Sequence, residues 1–182
     1  NLKQLKKVHE VEKLINIKET IHDEELLNFF NSLSKLQYLF YLAPSYISFK
    51  NNQDSPSIFT KYFPKQSIQS IIQQQNHIEG YNLTEKYLIL FGISHFLDSF
   101  HSDNYVHGSV KLTNVLLDQH FVPYITDPFL YNIIDRSNPL KLPNKTIDYI
   151  VSLPPEILHN NSITKASDIY SFGIIILQVL TD

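Results

Sequence analysis

The chain has 182 residues, a net charge of −3 and a pI of about 6.2, which give no electrostatic reason to expect nucleic acid or an anionic membrane as a partner. It contains no cysteine, so disulfides and thiolate metal sites are excluded. A hydrophobic fraction of 43% is enough to form a sizeable core. No apolar run is long enough to cross a bilayer, and we therefore expect a cytoplasmic, intracellular protein.

Strand patterns predominate in the first third of the chain. Branched and aromatic residues predict an extended run over residues 14–18, a strand–turn–strand over residues 38–49 and a further strand over residues 57–63. Helical spacing of apolar residues predicts one helix between them, over residues 26–36.

Helical patterns predominate after residue 64. They predict a short helix over residues 67–75, a longer one over residues 84–101 and a last one over residues 167–181. The last helix is apolar almost all round, which predicts burial on every side. Strands followed by helices indicate an α+β fold with two unequal lobes. In the helix over 84–101, the positions expected to face the core are Leu90, Phe91, Ile93, Leu97 and Phe100.

Four short motifs follow one another in the second half of the chain. They are YVHGSVKLTNVLLD at residues 105–118, TDPF at 126–129, PPE at 154–156 and SDIYSFG at 167–173. In order and spacing they resemble the catalytic loop HRDLKxxNxLLD, the DFG triplet, the APE triplet and the SDVYSFG helix start of protein kinases. Their style is most similar to the tyrosine-kinase-like group, which contains kinases of the serine/threonine type.

The resemblance implies a bilobal protein-kinase-like fold, truncated at both ends. Residues 1–63 would form part of the N-terminal lobe and the hinge, and residues 64–182 part of the C-terminal lobe up to its long buried helix. The chain has four glycines, and they do not form the G-x-G-x-x-G loop that covers the phosphates in kinases.

The same resemblance implies ATP and Mg²⁺ as possible cofactors. Asn114 and Asp127 occupy the two positions that supply oxygen ligands to Mg²⁺ in kinases, and Lys111 matches the lysine that touches the transferred phosphate. Ser109 stands where kinases carry the aspartate that accepts the substrate proton. A serine hydroxyl is not a base near pH 7, and a positioned base typically contributes roughly 10²–10⁴-fold to the rate.

Four further positions would contact the nucleotide by the same resemblance. Lys18 would be the phosphate-binding lysine of the VAIK strand, and Thr60 would be the gatekeeper at the back of the cleft. Tyr62 falls in the hinge, and Leu116 would lie under the adenine.

Three motif residues are expected to act through folding. In kinases the residue at Asp168 bonds the backbone of the catalytic loop, and the residue at His107 packs beside it. Glu156 matches the glutamate of APE, whose usual partner is an arginine near the end of the full domain. The chain stops at Asp182, so we expect Glu156 to be solvated.

These observations leave three functions open, and leave open whether the chain is an enzyme. The first is a signalling pseudokinase that serves as a nucleotide-binding or regulatory scaffold module, which Ser109 and the altered DFG triplet favour. The second is an active or weakly active serine/threonine-type kinase that transfers the ATP γ-phosphate to protein. The third is a degenerate fragment without function. Protein partners or substrates are expected, and neither nucleic acid nor a membrane is.

Overall fold

The computed structural model describes residues 10–14, 40–48, 57–74, 82–128, 153–160 and 162–181. The helix predicted over residues 26–36 and the predicted site residue Lys18 lie outside these ranges. In chain order the elements are β1 Glu10–Leu14, β2 Ser45–Ser48, β3 Ser57–Lys61, α1 Ile68–Gln74, α2 Leu83–Ser102, a 3₁₀ turn Leu112–Asn114, β4 Val115–Leu117, β5 Pro123–Ile125, α3 Pro155–Asn160 and α4 Lys165–Thr181. The first three strands precede all the helices, and a short pair of strands follows α2, which confirms the predicted α+β fold class.

The first lobe contains a three-stranded antiparallel sheet in the order β1-β3-β2. Strand β1 pairs with β3 from Glu10↔Lys61 to Leu14↔Ser57, and β2 flanks β3 on its other side. The extended run predicted over residues 14–18 meets β1 at Leu14, and residues 15–18 lie outside the described residues. Strand position is decided by the partner strand, and the local run of branched residues did not indicate that pairing.

A capping box begins helix α2. The Asn82 side chain accepts a hydrogen bond from the Glu85 amide at 3.0 Å, and the Glu85 carboxylate accepts one from the Asn82 amide at 2.8 Å. Both bonds satisfy amides that the first helical turn leaves without partners. The helix extends one residue beyond each end of the predicted range.

The core-facing side of α2 differs in part from the predicted side. Phe91 was expected to be buried and is 61% exposed, whereas Ile93, Leu97 and Phe100 are buried as expected. Apolar residues occur on nearly every side of this helix, so their spacing does not select one face. The buried residues are Ile89, Gly92, Ile93, Phe96, Leu97 and Phe100.

The buried face of α2 covers the hairpin of β4 and β5, in which Val115, Leu116 and Leu117 pair with Ile125, Tyr124 and Pro123. Val115, Leu117 and Ile125 are almost fully buried, because alternate residues of a strand point to one face. The cluster is completed by residues from the other helices and loops: Ile68, Val110, Leu112, Ile175 and Val179.

Helix α4 packs against α2 along one side. Its start is stabilised by reciprocal bonds between Thr164 and Ser167, at 3.1 Å from the Thr164 amide and 3.3 Å from the Ser167 amide. The prediction of burial on every side is wrong for the described residues, since Ile169, Leu177 and Leu180 are each more than half exposed. Apolar residues occur around the whole helix, but the packing covers one of its sides.

The two lobes are joined by backbone hydrogen bonds next to the hairpin. The Ala43 amide donates to the Ile125 carbonyl at 2.8 Å, and the Ile125 amide donates to the Tyr41 carbonyl at 2.7 Å. Within the second lobe, an isolated bridge between Ser67 and Leu116 holds the segment after β3 against β4. The end of β3 and the start of β4 thereby form the two sides of one cleft.

Candidate functional site

A cleft of about 430 Å³ lies between the segment that follows β3 and the loop that contains the 3₁₀ turn. Its volume is within the range of about 300–1,000 Å³ typical of small-molecule sites. It brings together six of the residues predicted to contact nucleotide or metal, namely Thr60, Tyr62, Lys111, Asn114, Leu116 and Asp127.

The amide of Asn114 organises the loop on one side of this cleft. Its Nδ2 donates to the Ser109 carbonyl at 2.9 Å and to the Ser109 hydroxyl at 3.1 Å. Since Nδ2 is committed to Ser109, the oxygen Oδ1 is the atom that Asn114 can offer to a ligand. Asn114 is 5% exposed, and this pair of bonds fixes its orientation.

Asp127 supplies a carboxylate to the same cleft. Its φ of 63° lies in the left-handed region, which Asp and Asn tolerate better than most residues. The Thr126 hydroxyl donates to its Oδ1 at 3.2 Å, and the Thr126 amide donates to the Asn114 carbonyl at 2.9 Å. The second bond links the backbone of Asn114 to the residue next to Asp127, so the two predicted metal ligands are held close together.

The donor set fits Mg²⁺ held jointly by protein and phosphate. Asn114 and Asp127 are hard oxygen donors that line one cleft. Within the described ranges, no group of three or more His, Cys, Asp or Glu residues forms a metal site. Mg²⁺ is usually bound through one or two carboxylates together with substrate phosphates, so this sparse set suits a metal–nucleotide complex better than a lone ion.

Asp168, in the first turn of α4, binds the backbone of the loop that begins at His107. Its Oδ2 accepts from the His107 amide at 2.7 Å, and its Oδ1 accepts from the Gly108 amide at 2.8 Å. His101 contacts Oδ2 through Nε2 at 2.9 Å. Asp168 is 1% exposed, and three donors compensate its buried charge.

His107 lies fully buried beside this network. Its Nδ1 accepts from the Ser109 amide at 3.1 Å, and its ring packs edge-on against Phe96. Burial lowers the pKa of His107 to about 4, in spite of the opposing charges of Asp168 and Asp127. The ring is therefore neutral at pH 7.

Glu156 was expected to be solvated, and it remains partly exposed while it also accepts one hydrogen bond. The Ser167 hydroxyl donates to its Oε1 at 2.7 Å and lowers the pKa of the Glu156 carboxyl. Because Ser167 is the first residue of the SDIYSFG motif, this bond connects the PPE motif to that motif directly.

The hinge side of the cleft is formed by the end of β3. Thr60 is 8% exposed, and its hydroxyl is 3.1 Å from that of Ser45, which donates to the Ala43 carbonyl. Tyr62, which is 38% exposed, and Leu116, which is half-buried, both line the cleft.

The sequence analysis did not identify Lys13. It lies on β1 at the register position of Ile58, two residues from Val11, which pairs with Thr60. In the sequence, the apolar residues Val11 and Leu14 on either side of Lys13 were the available indication of a strand here.

The profile of the protein tyrosine and serine/threonine kinase family matches residues 3–182. The chain belongs to this family. The kinase resemblance of the four motifs is thereby confirmed, and with it the truncated α+β kinase fold. Members of the family bind ATP and Mg²⁺ and phosphorylate proteins.

Individual relatives of this kinase domain come from plants and mammals. It is 31% identical over 142 residues to the LRR receptor-like serine/threonine-protein kinase RGI3 of Arabidopsis thaliana, covering 72% of this chain and 13% of that protein. It is 28% identical over 129 residues to the probable inactive leucine-rich repeat receptor kinase XIAO of Oryza sativa subsp. japonica, covering 66% and 11%. It is 30% identical over 129 residues to the interleukin-1 receptor-associated kinase-like 2 of Bos taurus, covering 69% and 21%.

The expectation of a cytoplasmic protein is wrong as it was drawn. Several relatives are named receptor-like kinases, a class of membrane proteins, and this domain spans a small part of their length. Among the residues that the structure describes, no helix is both long and apolar enough to cross a membrane. Composition alone was therefore insufficient to place the protein in a compartment.

Proposed function

We propose that this kinase domain is a pseudokinase that binds Mg²⁺–nucleotide and acts as a regulatory or scaffold module on protein partners in signalling. The observation that carries the proposal is Ser109. It occupies the base position, and its hydroxyl oxygen accepts a hydrogen bond from Asn114. The name of one relative, a probable inactive receptor kinase, is in keeping with a domain that functions without catalysis.

Nucleotide binding is supported by the residues that meet in the cleft. Asn114 Oδ1 and the Asp127 carboxylate would hold Mg²⁺, which bridges and neutralises phosphate oxygens when it is bound. Lys111 would contact phosphate, and Leu116 with Tyr62 would flank the base.

The melting temperature with and without Mg²⁺–ATP tests the binding proposal. At a nucleotide concentration about 100 times the dissociation constant, binding adds about 2.7 kcal/mol to the free energy of unfolding. Asp127→Asn should abolish the shift, while Asn still tolerates the positive φ. Asp103→Asn, which makes the same charge change outside the cleft, is the matched control. An unchanged melting temperature in folded wild-type protein contradicts nucleotide binding.

A second function, a weak serine/threonine-type kinase, is favoured by one specific observation. Lys111, Asn114 and Asp127 line one cleft, so the phosphate-positioning part of the site is assembled without a base. A phosphotransfer assay separates the two functions. The pseudokinase proposal expects wild-type transfer no faster than that of Asp127→Asn. Transfer to a protein substrate that Asp127→Asn eliminates would establish the weak kinase instead.

A further inference from the structure

Thr126 lies between the two residues proposed to hold Mg²⁺. It follows β5 directly, lines the cleft and is 7% exposed. Its amide donates to the Asn114 carbonyl at 2.9 Å, and its hydroxyl donates to Asp127 Oδ1 at 3.2 Å. One buried residue therefore contacts both proposed ligands, through its backbone on one side and through its side chain on the other.

The direction of the bond between the Thr126 hydroxyl and Asp127 follows from the chemistry of the two groups. An ionised carboxylate accepts hydrogen bonds and does not donate, so the single hydroxyl hydrogen of Thr126 is committed to Asp127. The bond is buried, and a hydrogen bond is electrostatically stronger there than in water. The hydroxyl and the carboxylate therefore fix the rotation of one another.

The backbone of Asp127 is already held by other means. Its φ of 63° lies in the small left-handed region, and the amide bond from Thr126 to Asn114 anchors the preceding residue. Rotation about the side-chain bonds of Asp127 is the freedom that remains. The Thr126 hydroxyl restricts this rotation, so its bond determines how the carboxylate is presented to a ligand in the cleft.

Metal affinity is sensitive to contacts of this kind. Carboxylates that ligate a metal are themselves hydrogen-bonded, and loss of the supporting partner typically lowers metal affinity roughly 10–100-fold. Mg²⁺ also requires a nearly ideal octahedral arrangement of its ligands. The proposed site offers it the side chains of Asn114 and Asp127, so the orientation of each contributes a large share of the fit.

We propose that Thr126 is a positioning residue for the metal, whose hydroxyl orients the Asp127 carboxylate toward the Mg²⁺ of a bound nucleotide. Thr126 does not itself ligate the ion. The kinase motifs assign no role to this residue, so the inference goes beyond the proposed nucleotide binding, on which it rests.

The affinity for Mg²⁺–ATP tests this proposal, measured from the melting temperature of the full chain at a series of Mg²⁺–ATP concentrations and repeated with ATP in EDTA. Thr126→Val removes the hydroxyl and keeps the shape and the backbone amide. It should raise the dissociation constant of Mg²⁺–ATP by about tenfold or more. In EDTA, where no metal takes part, this variant and the wild type should behave alike.

Two further variants separate the hydroxyl from the packing of the side chain. Thr126→Ser keeps the hydroxyl and should bind Mg²⁺–ATP within about threefold of wild type, whereas Thr126→Ala lacks it and should bind as weakly as Thr126→Val. Thr181→Val is the matched control, because it removes a hydroxyl that donates to the Leu177 carbonyl at the exposed end of α4. The control should bind within about twofold of wild type.

The outcomes distinguish this proposal from the one on which it rests. A wild-type chain without a Mg²⁺-dependent shift overturns both. A normal wild-type shift overturns the role of Thr126 alone if Thr126→Val and Thr126→Ala bind Mg²⁺–ATP as well as wild type. The same holds if Thr126→Ser is weakened equally, or if the loss of affinity is as large in EDTA.

Discussion

Single residues decide how the catalytic loop is held. Both carboxylate oxygens of Asp168 accept hydrogen bonds, one from the His107 amide and one from the Gly108 amide. The side-chain nitrogen of Asn114 donates to Ser109. The identity of these residues was apparent from the kinase motifs. The sequence alone showed that Ser109 leaves the loop without a carboxylate, and the structure added the bond between Ser109 and Asn114. Together they are the reason why binding without catalysis is the proposed function.

Asp168→Asn should lower the free energy of unfolding by about 1–3 kcal/mol, because one of the two loop amides then faces an amide nitrogen and loses its acceptor. Urea unfolding measures the change. Asp98→Asn is the matched control, since that carboxylate is exposed, and should change stability by less than about 0.5 kcal/mol. Equal effects of the two substitutions would show that the buried bonds do not stabilise the fold.

Stability should fall between pH 7 and pH 5 because of His107. Its pKa is about 4 in the folded chain and 6.5 as an ordinary value, so in this window the unfolded chain takes up a proton that the folded chain does not. The contribution is fully favourable above pH 6.5 and is lost as the pH drops, by about 2 kcal/mol at pH 5. Urea unfolding at a series of pH values measures it. In His107→Asn this part of the slope should disappear, whatever the substitution costs in packing, and an unchanged slope would contradict the buried neutral ring.

At the scale of secondary-structure elements, the contact between α2 and β5 is closer than an ordinary side chain allows. A Cβ on Gly92 would lie 2.3 Å from Pro123 Cγ and 3.0 Å from the Tyr41 ring. Gly173, in the middle of α4, has no atom within 4 Å of the same position. The two helices therefore contain glycine for different reasons, although both glycines look alike in the sequence.

Gly92→Ala should destabilise the chain by about 1–3 kcal/mol, because the methyl group overpacks the contact with a rigid proline ring. Gly173→Ala should instead stabilise it by about 0.5–1 kcal/mol, because alanine has the higher helix propensity and meets no neighbour. Thermal unfolding of both variants measures the contrast. Stabilisation by Gly92→Ala would mean that α2 can move away from β5 at no cost.

At the scale of the whole molecule, apolar surface remains exposed in addition to the formed core. On α4, Leu177 is 61% exposed and Val179 is fully buried, although they are two residues apart on one helix. On α2, Phe91 and Tyr87 are likewise more than half exposed. Large exposed apolar patches promote association, so the isolated chain should self-associate.

Leu177→Lys should reduce self-association, measured by light scattering, and change the free energy of unfolding by less than about 0.5 kcal/mol. Val179→Lys on the same helix should instead unfold the chain, because it places an unpaired charge in the core. A Leu177→Lys variant that fails to fold would show that α4 is covered on this side too.

The sequence by itself determined the family and the α+β class, because residue type and motif spacing are local properties of the chain. It did not select between the two sides of α2, where Phe91 was expected inside, or place β1 at Glu10–Leu14, which made Lys13 apparent. It also missed the bond between Glu156 and Ser167. Only the tertiary structure decided these, because burial, strand register and side-chain hydrogen bonds depend on which distant elements pack together.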